Sequence, residues 1–283
     1  MKSAVTVCLV SEARQGPFVF HGATAAEALQ VGCRRAAELG FDAVEVFPTG
    51  AEQLADSAMA GRLAEHSLGL AAVGSGAGWV RHKLSLTHAD ARIRGEARDF
   101  IELLINVAAD LGAPVIIGSM QGRHEGDVSR ADALEHLAAA LHHLGRHAAG
   151  RGQTLLYEPL NRYETNLFTQ VGDAASFLRG QGLHNVKLLC DLFHMNIEEA
   201  DPAAALVACG DLVGHVHWAD SNRRPMGSGH TATVPIATAL RHIGYAGYLS
   251  AEVFPLPDAD TAARMTIDSI RALDTLAPRS TLE

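Results

Sequence analysis

The stretch LLYEPLNRYETN, Leu155–Asn166, begins as an apolar run and then sets Glu158, Pro159, Asn161, Arg162 and Glu164 within a few residues of one another. An apolar start without polar interruption reads as a strand covered on both faces, which is the habit of parallel strands packed under helices. The sudden polarity reads as the place where that strand meets solvent or substrate, with Pro159 restricting the backbone of Glu158. PVIIG (Pro114–Gly118) and VKLLC (Val186–Cys190) have the same apolar habit.

Working outward, such runs alternate from end to end with Ala/Leu-rich segments of helical spacing. Strands are expected at Val5–Val10, Ala43–Phe47, Leu70–Val73, Val115–Gly118, Leu155–Leu160, Lys187–Phe193, Val213–Trp218 and Tyr248–Phe254. Helices are expected at Thr24–Leu39, Glu52–Glu65, Asp90–Leu111, Ser129–Ala149, Gly172–Arg179, Pro202–Cys209, Val234–Ile243 and Asp260–Leu276. Gly40, Gly112 and Gly150 follow three of these helices and suit left-handed caps. Eight βα units in 283 residues fit an α/β fold of the (β/α)8 TIM barrel type, typically about 250 residues, better than an open doubly wound sheet. No linker composition interrupts the chain, so a single domain spanning residues 1–283 is expected.

The composition, 48% hydrophobic and 19% charged, is that of a folded globular protein. A formal charge of −9 offers no general basic surface, which argues against a nucleic-acid partner. Cys8, Cys33, Cys190 and Cys209 show no C-x-x-C spacing and read as reduced thiols. The N-terminal residues lack a signal-peptide pattern and no run reaches transmembrane length, so a cytoplasmic protein without a membrane partner is expected.

In a barrel of this type the C-terminal strand ends carry the active site. Glu158, Asp191, His217 and Glu252 fall at or near such ends on four consecutive strands. Three converging carboxylates repel one another unless a cation sits among them. One imidazole with three carboxylates is a mostly hard donor set, which favours Mn2+ and also suits Mg2+ or Co2+, with Zn2+ admitted by its general affinity. His215 and His217 are two apart on one strand face, so spacing does not choose between them.

At these residues the chain resembles the xylose-isomerase-like sugar isomerase and epimerase superfamily, and within it the D-tagatose 3-epimerase branch of ketose 3-epimerases. The resemblance rests on YEPLNRYETN, CDLFHM, GHVHWADSNRRPMGSGH and SAEVFP, with a weaker piece in SLTHADARIRGEA. It implies a metal set of Glu158, Asp191, His217 and Glu252, which selects His217 over His215, and substrate contacts at Glu164, His194 and Arg223. Asp191 and His194 are an odd number apart, so His194 is expected where the strand has given way to loop. The bland alternatives are a surface Arg223 beside Asp220 and a Glu164 paired with Arg162.

What the resemblance implies is a divalent-metal-dependent isomerase that epimerises a non-phosphorylated 2-ketose at C3 through an enediolate, with Glu158 and Glu252 as acid and base. A homodimer or homotetramer is implied on the same ground. The GSGH turn, Gly227–His230, is only a weak anion-nest signal. Alternatives on the same metal framework are an epimerase or isomerase of a keto sugar acid of the 5-keto-L-gluconate type, and an inositol-pathway or 3-keto-glycoside isomerase or lyase. Rivals from other classes are an endonuclease IV-like enzyme, disfavoured by charge, and a binding protein that retains the fold without turnover.

Overall fold

The structure, a computed structural model, describes residues 1–55 and 57–275. Its strands are β1 (Lys2–Cys8), β2 (Ala43–Phe47), β3 (Gly69–Gly74), β4 (Val115–Ile117), β5 (Leu155–Tyr157), β6 (Val186–Asp191), β7 (Val213–His217) and β8 (Tyr248–Ala251). They pair in parallel, in chain order, and β8 closes onto β1 through partners such as Ala4 and Ser250. Around them lie α1 (Ala25–Leu39), α2 (Glu52–Ala55), α3 (Ser57–Glu65), α4 (Ala77–His82), α5 (Ala91–Asp110), α6 (Arg130–Gly150), α7 (Val171–Gly180), α8 (Leu192–Glu198), α9 (Pro202–Cys209), α10 (Thr233–His242) and α11 (Ala259–Thr275). The expected (β/α)8 barrel is thus the fold.

Period-two alternation builds the barrel wall. On β2, Val44 and Val46 join the main core under the helices, whereas Ala43 packs inside the barrel with Ala4 and Ala71. Ala72, Ile116, Leu156 and Leu189 form the next interior group. Two residues beyond Leu156 and Leu189 on the same side come Glu158 and Asp191, and two beyond His215 comes His217. The alternation that fills the barrel with apolar side chains therefore aims these polar ones into its mouth.

Local signals set the helix ends. The Thr24 side chain accepts from the Glu27 N–H at the start of α1, and Gly40 closes that helix at φ 80°. Ser129 and Asp132 form a reciprocal capping box on α6. Gly150, expected as a cap, is instead the last residue of α6, and Gly152 two residues on takes the positive φ of 72°. The helix expected over Glu52–Glu65 is described as two, α2 and α3, with Asp56 between them outside the described residues, as is Leu276 of the expected last helix.

Strands β5 to β8 end sooner than their apolar sequence predicts, at Tyr157, Asp191, His217 and Ala251 instead of Leu160, Phe193, Trp218 and Phe254. The chain peels off the barrel where its side chains turn toward the cavity. Two helices escape the sequence reading, α4 and α8, because six and seven residues give too little of the 3.6-residue period to register.

Candidate active site

Glu158 follows β5 directly, and its N–H still donates to the Ile117 carbonyl at 3.0 Å. Its own carbonyl accepts from Gln121 Nε2 at 2.9 Å, and Gln121 Oε1 accepts from the Tyr157 hydroxyl at 2.6 Å. Gly118 leaves room for the carboxyl, since a Cβ there would stand 2.5 Å from Glu158 Oε2. Asp191 ends β6 and caps α8, one oxygen accepting from the Phe193 N–H at 2.8 Å and Oδ2 left without a partner. His217 ends β7, and Glu252 follows β8. All four side chains are buried.

They meet around one atom. His217 Nδ1 lies 3.4 Å from Asp191 Oδ2, 3.5 Å from Glu252 Oε2 and 3.8 Å from Glu158 Oε1. Neither His217 Nδ1 nor Asp191 Oδ2 has a hydrogen-bond partner. Burial, reinforced by Glu252 and Asp191, pushes the Glu158 carboxyl well above the usual range. Burial opposes charge on Asp191 and His217 as well, but there it loses. His194 and His217 hold Asp191 low, and Glu45 and Glu252 hold His217 high. The unpartnered His217 Nδ1 and Asp191 Oδ2, with the Glu252 and Glu158 carboxylates beside them, form a donor set that a hard divalent cation would fit.

Three further side chains face this group. His194 sits on α8, so the loop expected for it is a short helix, and the abrupt start of that helix at Leu192 is what turns His194 inward. Its Nδ1 takes an Asn161 amide N–H at 2.7 Å, which assigns the proton to Nε2, unpartnered and 3.7 Å from Asp191 Oδ2. The Arg223 guanidinium pairs with Glu252, stands 3.7 Å from Asp191 Oδ2 and stacks 4.9 Å over the Phe193 ring. With its side chain 14% exposed, the surface-arginine alternative does not hold. Glu164, half exposed, accepts from Asn161 Nδ2 at 3.1 Å and lies 3.8 Å from Arg223, while Arg162 binds Glu198 at 2.8 Å instead.

The Gly-x-Gly turn has an occupant from its own chain. Backbone N–H groups of Ser221, Gly227, Gly229 and Thr231 all donate to the Asp220 carboxylate, at 2.7 to 3.0 Å. Above the buried group opens a cavity of about 810 Å3, with Glu158, Glu164, His194, Arg223 and Glu252 in its wall and Phe18, Phe47 and Trp79 on another side. That is ample for a small polar ligand.

The sequence profile of the xylose isomerase-like TIM barrel family matches residues 33–273. The chain belongs to that family. Within it, the chain is 30% identical over 241 residues to L-ribulose 3-epimerase of Mesorhizobium japonicum, covering 84% of this chain and 79% of that one. It is 31% identical to D-psicose 3-epimerase of Agrobacterium fabrum, covering 78% and 77%. The crystal structure of D-allulose 3-epimerase from Methylomonas sp. superposes with a TM-score of 0.82 at 24% identity, over 96% of this chain and 98% of the other. This member of the xylose isomerase-like family is an isomerase of the ketose 3-epimerase-like kind.

The sequence reading left out three residues that hold this family member's site together. Glu45 on β2, fully buried, accepts from His215 Nε2 at 2.7 Å and His217 Nε2 at 3.0 Å. Its signal was available: a lone carboxylate inside AVEVF, Ala43–Phe47. Asn161 orients His194, and Gln121 pins the Glu158 backbone. Neither an amide in a loop nor one after a short strand stands out without the fold.

Proposed function

We propose that the protein epimerises a non-phosphorylated 2-ketose at C3, with Glu158 and Glu252 as the two proton carriers. The observation that carries this reading is the convergence of Glu158, Asp191 and Glu252 on the unpartnered His217 Nδ1 at the floor of the cavity. The names of the relatives, L-ribulose 3-epimerase and D-psicose 3-epimerase, support C3 of a ketose as the reacting centre.

Glu158, Asp191, His217 and Glu252 would hold a divalent cation, Mn2+ by preference and otherwise Mg2+, Co2+ or Zn2+, which supplies Lewis-acid stabilisation of negative charge on the sugar oxygens. Epimerisation needs a proton to leave one face of C3 and another to arrive on the opposite face. Glu158 and Glu252 come from strand ends β5 and β8, three steps apart around the ring, and so flank a sugar seated between them. One carboxylate removes the C3 proton and the other carboxylic acid returns one, a type of catalysis worth about 10²–10⁴-fold. Negative charge spreads from C3 onto the C2 oxygen during that transfer. The Arg223 guanidinium and His194 Nε2–H are the fixed donors for those oxygens. Glu164 accepts from a sugar hydroxyl. The nest that would cradle a phosphate is filled by Asp220, in keeping with a non-phosphorylated substrate.

The test is incubation of Mn2+-loaded protein with D-fructose, D-tagatose and L-ribulose in D2O. Deuterium at C3 together with the C3 epimer is the expected result for at least one ketose. No exchange at C3 in any of them would overturn the reading.

A further inference from the structure

Glu45 spends a carboxylate in the middle of the barrel, where burial strongly disfavours an isolated charge. It is not among the residues that face the cavity, and its backbone lies on β2, paired with β1 and β3, whereas its two partners come from β7. Each oxygen takes one imidazole, Oε2 from His215 Nε2 at 2.7 Å and Oε1 from His217 Nε2 at 3.0 Å. A carboxylate only accepts, so both imidazoles must carry a proton on Nε2. In its neutral form His217 then has its lone pair on Nδ1, the atom that is buried, unpartnered and surrounded by Asp191, Glu252 and Glu158.

We propose that Glu45 is a positioning residue that fixes the tautomer and the ring orientation of His217 for metal binding, and that His215 locks Glu45 by holding its second oxygen. The two histidines of GHVH thereby have distinct tasks on one strand face: His217 presents Nδ1 to the cation, while His215 has no atom among the proposed ligands. The carboxylate also keeps a negative charge directly behind the ligand imidazole, which raises its basicity toward a cation. Among the described residues, the side-chain hydrogen bonds to the Glu45 carboxylate come from these two imidazoles alone.

This inference rests on the metal reading above and not on which ketose is turned over, so its test uses the cation alone. Mn2+ binding is measured by calorimetry for the parent, for Glu45→Gln and for His215→Asn, each first shown to be folded by circular dichroism. In Glu45→Gln the amide group donates toward one imidazole and can drive it to the opposite tautomer. The expected result is a loss of Mn2+ affinity of about 10- to 100-fold for Glu45→Gln, a smaller loss for His215→Asn, and recovery toward the parent in Glu45→Asp. A folded Glu45→Gln that binds Mn2+ within twofold of the parent would overturn it. If Glu45→Gln does not fold, imidazole 15N spectra of the Mg2+-loaded parent decide, with the His217 signals assigned through His217→Asn: protonation at Nε2 supports the proposal and protonation at Nδ1 sinks it. A parent that takes up no divalent ion removes the metal reading and this one together, an outcome distinct from equal binding by parent and variant.

Discussion

Gly118 and Glu158 are one unit of the site. A Cβ at position 118 would stand 2.5 Å from Glu158 Oε2, well inside van der Waals contact, so an alanine there must push the carboxyl by about an ångström. Misplacement on that scale costs roughly 10²-fold when it falls on reacting groups. Gly118→Ala is therefore expected to lose up to about 10²-fold in kcat/KM while its melting temperature changes little, which parallel kinetics and calorimetry will check. Glu158→Gln and Glu252→Gln remove the proposed proton carriers and are expected to lower kcat by about 10²–10⁴-fold each. A variant of either kind that keeps parental turnover would remove that residue from the proton path. The carboxylates were legible as site candidates because each interrupts or ends an apolar strand, where an ionised group has no structural excuse. Glu45 interrupts a strand equally well, but its partners lie 170 and 172 residues away, and no spacing rule connects them.

Among the elements, the loop between β7 and α10 does the most with the least regular structure. Asp220 gathers four backbone N–H groups from Ser221 to Thr231, and its carbonyl accepts from the Arg223 N–H at 2.8 Å. Arg223 sits at φ 56°, a left-handed backbone that a non-glycine residue adopts only where its surroundings impose it. Asp220 thus sets the perch from which Arg223 reaches Glu252. Burial opposes the Asp220 charge, yet the N–H groups of Thr231, Gly229 and Ser221 outweigh it and hold the carboxyl down to about 2, from an ordinary value of 3.8. A pKa lowered on folding means that the unfolded chain binds the proton first. The stabilisation is whole above about pH 4, and it drains away as pH falls toward about 2. Asp220→Asn is expected to flatten the acid limb of the stability curve and, at neutral pH, to cost about 1–3 kcal/mol through four mis-partnered N–H groups. Urea melts of parent and variant between pH 2 and 7 will read both effects, and coincident curves would contradict this account of the loop. The strand-to-helix alternation was plain in the sequence, but this loop was not. Its Gly-x-Gly pattern suggested a weak site for an external anion, and only the fold reveals that the anion is internal.

For the whole molecule, the repeating βα grammar made the barrel readable, since eight apolar runs separated by helical segments leave few other ways to cover every strand on both faces. Closure then brings residues from β5 through β8 to one mouth, and with them a problem of charge that no single element has. Glu158, Asp191 and Glu252 surround His217, and their mutual repulsion is released in the unfolded chain. A divalent cation that binds only the folded barrel must therefore stabilise it, by about 2.7 kcal/mol at a hundredfold excess over the dissociation constant. For a chain somewhat longer than 250 residues, at roughly 2–4 °C per kcal/mol, that is an upward shift of about 5–10 °C in melting temperature. The shift is expected on adding Mn2+ to EDTA-treated protein and should reverse when EDTA is restored. Asp191→Asn, which removes a proposed ligand charge without adding bulk, is expected to lose most of the response while remaining folded in the absence of metal. Scanning calorimetry across Mn2+, Mg2+, Co2+ and Zn2+ gives the order of preference. A melting temperature indifferent to all four would remove the proposed cation from the account of how these buried acids are held together, leaving protons and the nearby His217 and Arg223 to offset their charge.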